Sequence, residues 1–213
     1  MKYLLGLFFA GLTIYSLGQV KNSNDIEGLT INSKIMEEAK KNIKDLKELE
    51  DLNVGMQIYE SKVAIEFYEN DSLILSTMNN PKSIISKSFY YWRGDTLTVD
   101  GGIGLAVGAG FSIKLIMNKA TVYHMVSSDE FPLYAYGETT DIIYRLDVPC
   151  RDFTVVLSEL PKRGGKQIIY GYVEFESDKY FTRQRIEDGK EIGPRKKSRS
   201  NMKMYFRSGP SDL

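Results

Sequence analysis

GIGLAVGAGFSIKLIM, Gly102 to Met117, is the stretch that separates strand from helix in this chain. Its odd positions are all apolar: Ile103, Leu105, Val107, Ala109, Phe111, Ile113, Leu115 and Met117. The even positions begin nearly bare, with Gly102, Gly104, Ala106, Gly108 and Gly110, and end in Ser112, Lys114 and Ile116. Alternate side chains of a strand face opposite ways, so this pattern gives one greasy face and one without bulk. A helix is excluded, because each of the four glycines between Gly102 and Gly110 costs about 1 kcal/mol against alanine. The segment is therefore expected as an extended, central strand. Its bare face allows close approach of a second layer or a sharp bend.

The same two-residue period runs on both sides. Val54–Tyr59, Val63–Tyr68, Ala120–Val126, Asp141–Val148, Phe153–Leu157, Ile168–Glu176 and Met202–Phe206 read as strands. Ile84–Trp92 and Thr96–Asp100 flank the turn-forming Arg93-Gly94-Asp95 and read as a hairpin. Pro132, Pro149, Pro161, Pro194 and Pro210 fall between these runs, as expected of a residue without a backbone donor. One segment has helical spacing. Ile35, Met36, Ala39, Ile43, Leu46 and Leu49 step by threes and fours over 33–52, with Asn32 or Ser33 as cap. Glu37–Lys41 and Lys47–Asp51 are spaced to pair on its charged side. The expected fold is mainly β, a β-sandwich or strongly curved antiparallel sheet with one N-terminal α-helix.

The first residues concern location. A basic start at Lys2, an uncharged and mostly apolar run from Tyr3 to Tyr15, and small Ser16 and Gly18 before Gln19 have the order of a secretory signal peptide. The run is too short for a good membrane span. Cleavage is expected between Gly18 and Gln19. Residues 1–18 are then the signal, 19–31 a loose leader and 32–213 a single β-rich domain. The mature chain is expected to be secreted or periplasmic, with no transmembrane segment.

Composition narrows the chemistry. Removing the first 18 of 213 residues takes one lysine, leaving 27 basic against 28 acidic residues. That balance does not point to nucleic acid. Cys150 is the one cysteine, so no intrachain disulfide and no paired-thiolate zinc site can form. His124 is the one histidine, and a histidine metal site ordinarily needs more than one nitrogen. No metal or cofactor is expected. Charge is uneven along the chain: 12 acidic and 6 basic residues between Asp25 and Asp71, but 5 acidic and 10 basic between Asp178 and Leu213. The plain reading is two solvated faces; mutual attraction of the two ends is the alternative.

Several constellations bear on function. The glycine run lacks the spacing of a dinucleotide loop, since Val107 stands where glycine or alanine is required. His124, Cys150 and Asp141 could compose a nucleophile set only if the fold joins them. Ser200-x-x-Lys203 matches the serine–lysine tetrad of penicillin-recognising enzymes without its companion motifs. Glu174, Glu176 and Asp178 alternate along one strand face, and two carboxylates flanking a bond can cleave a glycoside. The arrangement resembles the acidic strand of laminarinase-type jelly-roll glycosidases over five residues, departing from it at Glu176 and Asp178. Trp92 is a candidate ligand platform, and Arg195, Lys196, Lys197 and Arg199 form the densest basic cluster, expected in a hairpin loop before Met202.

The function these features suggest is an exported, non-enzymatic β-rich binding or structural domain of the cell envelope. Its partner would be an envelope macromolecule or an apolar ligand. The alternatives are a small secreted glycoside hydrolase and a carrier of a lipid-like ligand.

Overall fold

The structure, a computed structural model, describes residues 26–46, 57–104, 108–128, 133–136, 143–183, 186–188 and 190–211. In chain order the elements are β1 (Thr30–Ile31), α1 (Ile35–Asn42), β2 (Ile43–Asp45), β3 (Gln57–Glu69), β4 (Ser72–Ser76), β5 (Lys82–Arg93), β6 (Thr96–Ile103), β7 (Ala109–Ile116) and β8 (Lys119–Ser127). They continue with β9 (Leu133–Tyr134), β10 (Arg145–Leu157), β11 (Ile169–Ser177), β12 (Tyr180–Thr182), β13 (Ile186–Glu187), β14 (Lys190–Glu191) and β15 (Lys196–Pro210). The chain is mainly β with one helix among the described residues. No helix among these residues is long and apolar enough to cross a membrane.

The sheet curves until it closes. β3, β5, β6, β7, β8, β10, β11 and β15 each pair antiparallel with the next, and β15 returns to β3 from Ser198↔Glu69 to Met204↔Val63. The result is an eight-stranded barrel, a size at which side chains fill the interior or leave room for one small ligand. Strand parity assigns the faces. Tyr59, Ser61 and Val63 of β3, Leu97 and Val99 of β6, Phe111, Ile113 and Leu115 of β7 and Met202, Met204 and Phe206 of β15 are buried in the interior. Between them stand charged outward residues such as Lys203 and Arg207.

The end where β3 begins and β15 finishes, here the lower end, is closed. β15 leaves β3 after Met204, and Gly209 and Pro210 pair in parallel with Phe89 and Tyr90 of β5. The Tyr90 hydroxyl donates to the Gln167 carbonyl, 2.8 Å away, in the β10–β11 connection. Higher up, the Phe111 and Phe206 rings pack with centroids 4.9 Å apart. Gly101 and Gly171 make the room: a Cβ on either would collide with the Phe111 or Phe206 ring respectively.

Several expectations need correction. Gly102–Met117 is not one strand. β6 ends at Ile103, Gly104 turns with φ +82, and β7 resumes at Ala109, so Gly102 and Gly110 face each other across a hairpin. The odd residues still point inward on both arms, because the parity survives the connection. Met117, with φ +56, lies in the β7–β8 turn and is exposed. The helix ends at Asn42, not Leu52. Ile43 is extended and pairs with Ser61, because an apolar β-branched residue suits either pattern and the open edge of β3 offers backbone partners. Lys47 to Leu52 lies outside the described residues. The Asn32 side chain accepts from the Lys34 amide at 3.1 Å, and the ion pair formed is Glu37–Lys40 rather than Glu37–Lys41. Val54–Tyr59 and Val63–Tyr68 belong to one strand as far as described, β3. Pro149 sits inside β10, beside the irregularity between Cys150 and Phe153, where a ladder bond is already interrupted.

The uneven charge also resolves against the plain reading. Because β15 lies on β3, Lys196 reaches Glu69 (2.7 Å), Lys197 reaches Asp71 (2.5 Å) and Arg207 reaches Asp45 (2.5 Å). The acidic and basic ends meet along one seam.

Candidate functional site: the upper mouth of the barrel

The acidic strand is in place but occupied. Glu174 and Glu176 point outward from β11, and Asp178 follows its end. Lys203 contacts Glu174 at 2.5 Å, Arg199 contacts Glu176 at 2.7 Å, and Arg151 pairs with Asp178. Burial pushes the Glu174 carboxyl up, but hydrogen bonds from Lys203 and from Tyr172 outweigh it and hold the group below the ordinary carboxylate range. A general acid for glycoside cleavage needs the opposite shift. Trp92 stands at the other end of the barrel, packed on the core with the Arg163 guanidinium 5.0 Å over its ring.

The basic cluster is likewise engaged. Arg195 contacts Glu191 at 3.0 Å, and Lys196, Lys197 and Arg199 hold the acids named above. Lys196 to Arg199 belong to β15 rather than to a loop. Gly18 and Gln19, the expected cleavage pair, lie outside the described residues, as does Asp141.

Ser200 and Lys203 differ in parity on β15. Ser200 is buried and its amide donates to Ser177 Oγ at 2.9 Å, while Lys203 faces out, so the pair cannot act together. His124 and Cys150 are closer in the fold: Val148, two residues before Cys150, is the cross-strand partner of His124. Burial pushes the Cys150 thiol up to about 12, far from an activated nucleophile.

His124 is the most informative side chain. It is buried, and burial lowers its pKa to about 4, against a smaller upward pull from Gly110. The imidazole is therefore neutral near pH 7. Nδ1 lies 2.9 Å from the Gly110 carbonyl, which can only accept, so Nδ1 carries the proton. Nε2 is left with a lone pair and has no hydrogen-bond partner among the described residues. Phe175 and Tyr180 flank the ring at 5.4 and 6.2 Å.

The ring lies on the wall of a cavity of about 330 Å³ at the upper mouth. Ile65, Phe67, Ala109, Val126 and Tyr180 supply most of the apolar lining, and Leu75 of β4 stands at its rim. The space exists because the inward residues here are small: Ala109, Ser177, Ser198 and Ser200 occupy positions where the lower barrel carries rings. Leu133 and Tyr180, from β9 and β12, pack with Val148 as a partial cover. α1 does not close this cavity. It lies on the outer wall against β11 and β15, with Ile35 and Ala39 buried. The sequence signal for the cavity was the serine alternation in β15, which is readable only once that strand is known to face inward. No protein-family model, no curated protein and no solved structure matches this chain.

Proposed function

We propose that this chain is an exported, non-enzymatic binding protein that holds a small, largely apolar ligand in the upper mouth of the barrel. The observation that carries the reading is the largely apolar cavity of about 330 Å³ with the unpartnered Nε2 of the neutral His124 on its wall. An apolar cavity of about 150 Å³ suffices for benzene, so this one suits a ligand of roughly twice that bulk. Burying such a ligand is favourable at about 25 cal/mol per Å² of apolar surface. A ligand with one hydroxyl would satisfy Nε2, which otherwise stays unpaired. The signal-like order of Met1 to Gly18 supports export, and the charged outer wall around an apolar interior suits a barrel working in water.

Titration with the fluorescent probe N-phenyl-1-naphthylamine tests this. Saturable enhancement, reversed by decanol more effectively than by decane, is expected. Absence of probe binding, or binding unchanged in Ala109→Trp, defeats the reading.

A further inference from the structure

The bare face of the glycine segment forms a second concavity, on the outer wall of the barrel. Register places Lys87 opposite Gly102, Gly102 opposite Gly110, and Gly110 opposite Met125. The neighbouring row runs Phe89, Asp100, Ser112, Tyr123. Two glycines between two long side chains leave a trough of about 200 Å³, lined also by Arg145. It opens on the opposite side of the sheet from the mouth cavity's inward-facing residues.

Asp100 lines this trough at 7 % exposure. Its Oδ1 is buried and has no hydrogen-bond partner. Burial pushes its carboxyl up, against a smaller downward pull from Ser112. Lys87 lines the same trough and forms no ion pair or hydrogen bond among the described residues. Arg145 donates to Met125 Sδ at 3.3 Å and stands 4.0 Å from Asp147, and its charge, with that of Lys114, also pulls weakly on the Asp100 carboxyl. One concavity thus holds a carboxyl with a buried, unpartnered oxygen and an ammonium that pairs with no acid among the described residues. Leaving a charge desolvated and unpaired is costly. A ligand with both signs would relieve it, placing an ammonium at Asp100 and a carboxylate between Lys87 and Arg145. Phe89 and Met125 offer apolar contact beside these poles.

We propose that this outer trough binds a small zwitterion, an α-amino acid with an apolar side chain. The binding is independent of the mouth cavity and would survive failure of the reading given for it.

Equilibrium dialysis of the full chain with radiolabelled L-leucine tests the site, with 3-methylbutylamine and 4-methylpentanoate as competitors that each carry one pole. Leucine is expected to saturate one site and to outcompete either analogue by at least about tenfold, since each analogue leaves one protein charge unpaired. Asp100→Asn should abolish the advantage over 4-methylpentanoate, and Lys87→Met the advantage over 3-methylbutylamine. Naphthylamine binding at the mouth should persist in both. Lys87→Met alters a partly exposed side chain, so it reports even if Asp100→Asn does not fold. No saturable leucine binding, binding no tighter than that of the amine, or leucine affinity unchanged in Lys87→Met would overturn the proposal.

Discussion

Below its middle, the barrel is filled by Tyr59, Tyr90, Leu157, Ile169 and Phe206, all buried, and β15 crosses beneath β3 to seal the end. Above it, the inward positions carry Ala109, Ser177, Ser198 and Ser200, and a cavity remains. The two halves share strands and parity; they differ in the bulk of the inward side chains named above and in the crossing of β15 at the lower end. Volume at alternate positions therefore decides whether one barrel is a solid core or a container. The lower half supplies stability because close-packed rings lose dispersion contacts when any one is trimmed. The upper half can afford empty space because that support is already present.

The largest expected effect lies in the filled half. Phe206→Ala should cost about 3–5 kcal/mol in urea unfolding, since the ring is fully buried and Phe111 cannot collapse into the void without moving β7. A loss below about 1 kcal/mol would mean that the two halves are equally loose.

The pH dependence of His124 comes next. Its folded pKa, about 4, lies below the unfolded value near 6.5. The unfolded chain therefore binds the extra proton between these values, and stability falls as pH drops through that window. The full contribution is present above pH 6.5. The difference is about 3 kcal/mol at most. His124→Asn keeps a donor for the Gly110 carbonyl and should flatten this part of the profile, leaving the carboxylate-driven loss at lower pH. Parallel profiles for the two proteins between pH 4.5 and 6.5 would show that the mouth is wetter than its lining suggests.

A matched pair sharpens the contrast further. Gly171→Ala should destabilise by about 1–3 kcal/mol, because its new methyl meets the Phe206 ring. Ala109→Leu adds more atoms at the mouth but should change stability by less than about 1 kcal/mol, because the cavity receives them. It should also weaken naphthylamine binding. Equal costs for the two substitutions, read from urea midpoints, would erase the distinction between the halves.

Much of the sheet could be read from residue order. The alternation in β5, β6, β8 and β11 placed these strands to within a few residues, and Arg93-Gly94-Asp95 marked its turn, with Gly94 at φ +56. Spacing alone overextends the helix because Ile43 satisfies a three-four spacing and a strand equally well. Alternation makes Gly102–Met117 look like one strand because five intervening residues preserve its parity, so the pattern alone does not reveal the reversal. Of the residues singled out as sites, Glu174, Glu176, Asp178, Lys196, Lys197 and Arg199 turned out to face acids or bases from distant strands, pairings invisible in their own neighbourhoods. The mouth and the trough went unseen for the same reason, since each is walled by residues from several strands.

The amino-acid order alone determined that the chain is strand-rich and which side chains share a face, because the pleat is a local, two-residue property. It also carried the glycines that bare one face of β6 and β7. Only the tertiary structure decided that β15 closes on β3, which end is sealed, where volume is missing and which charges stay unpaired. The closure depends on registers between residues more than a hundred positions apart, such as Ser198↔Glu69, and the trough on several hairpin registers side by side, and no local preference encodes them.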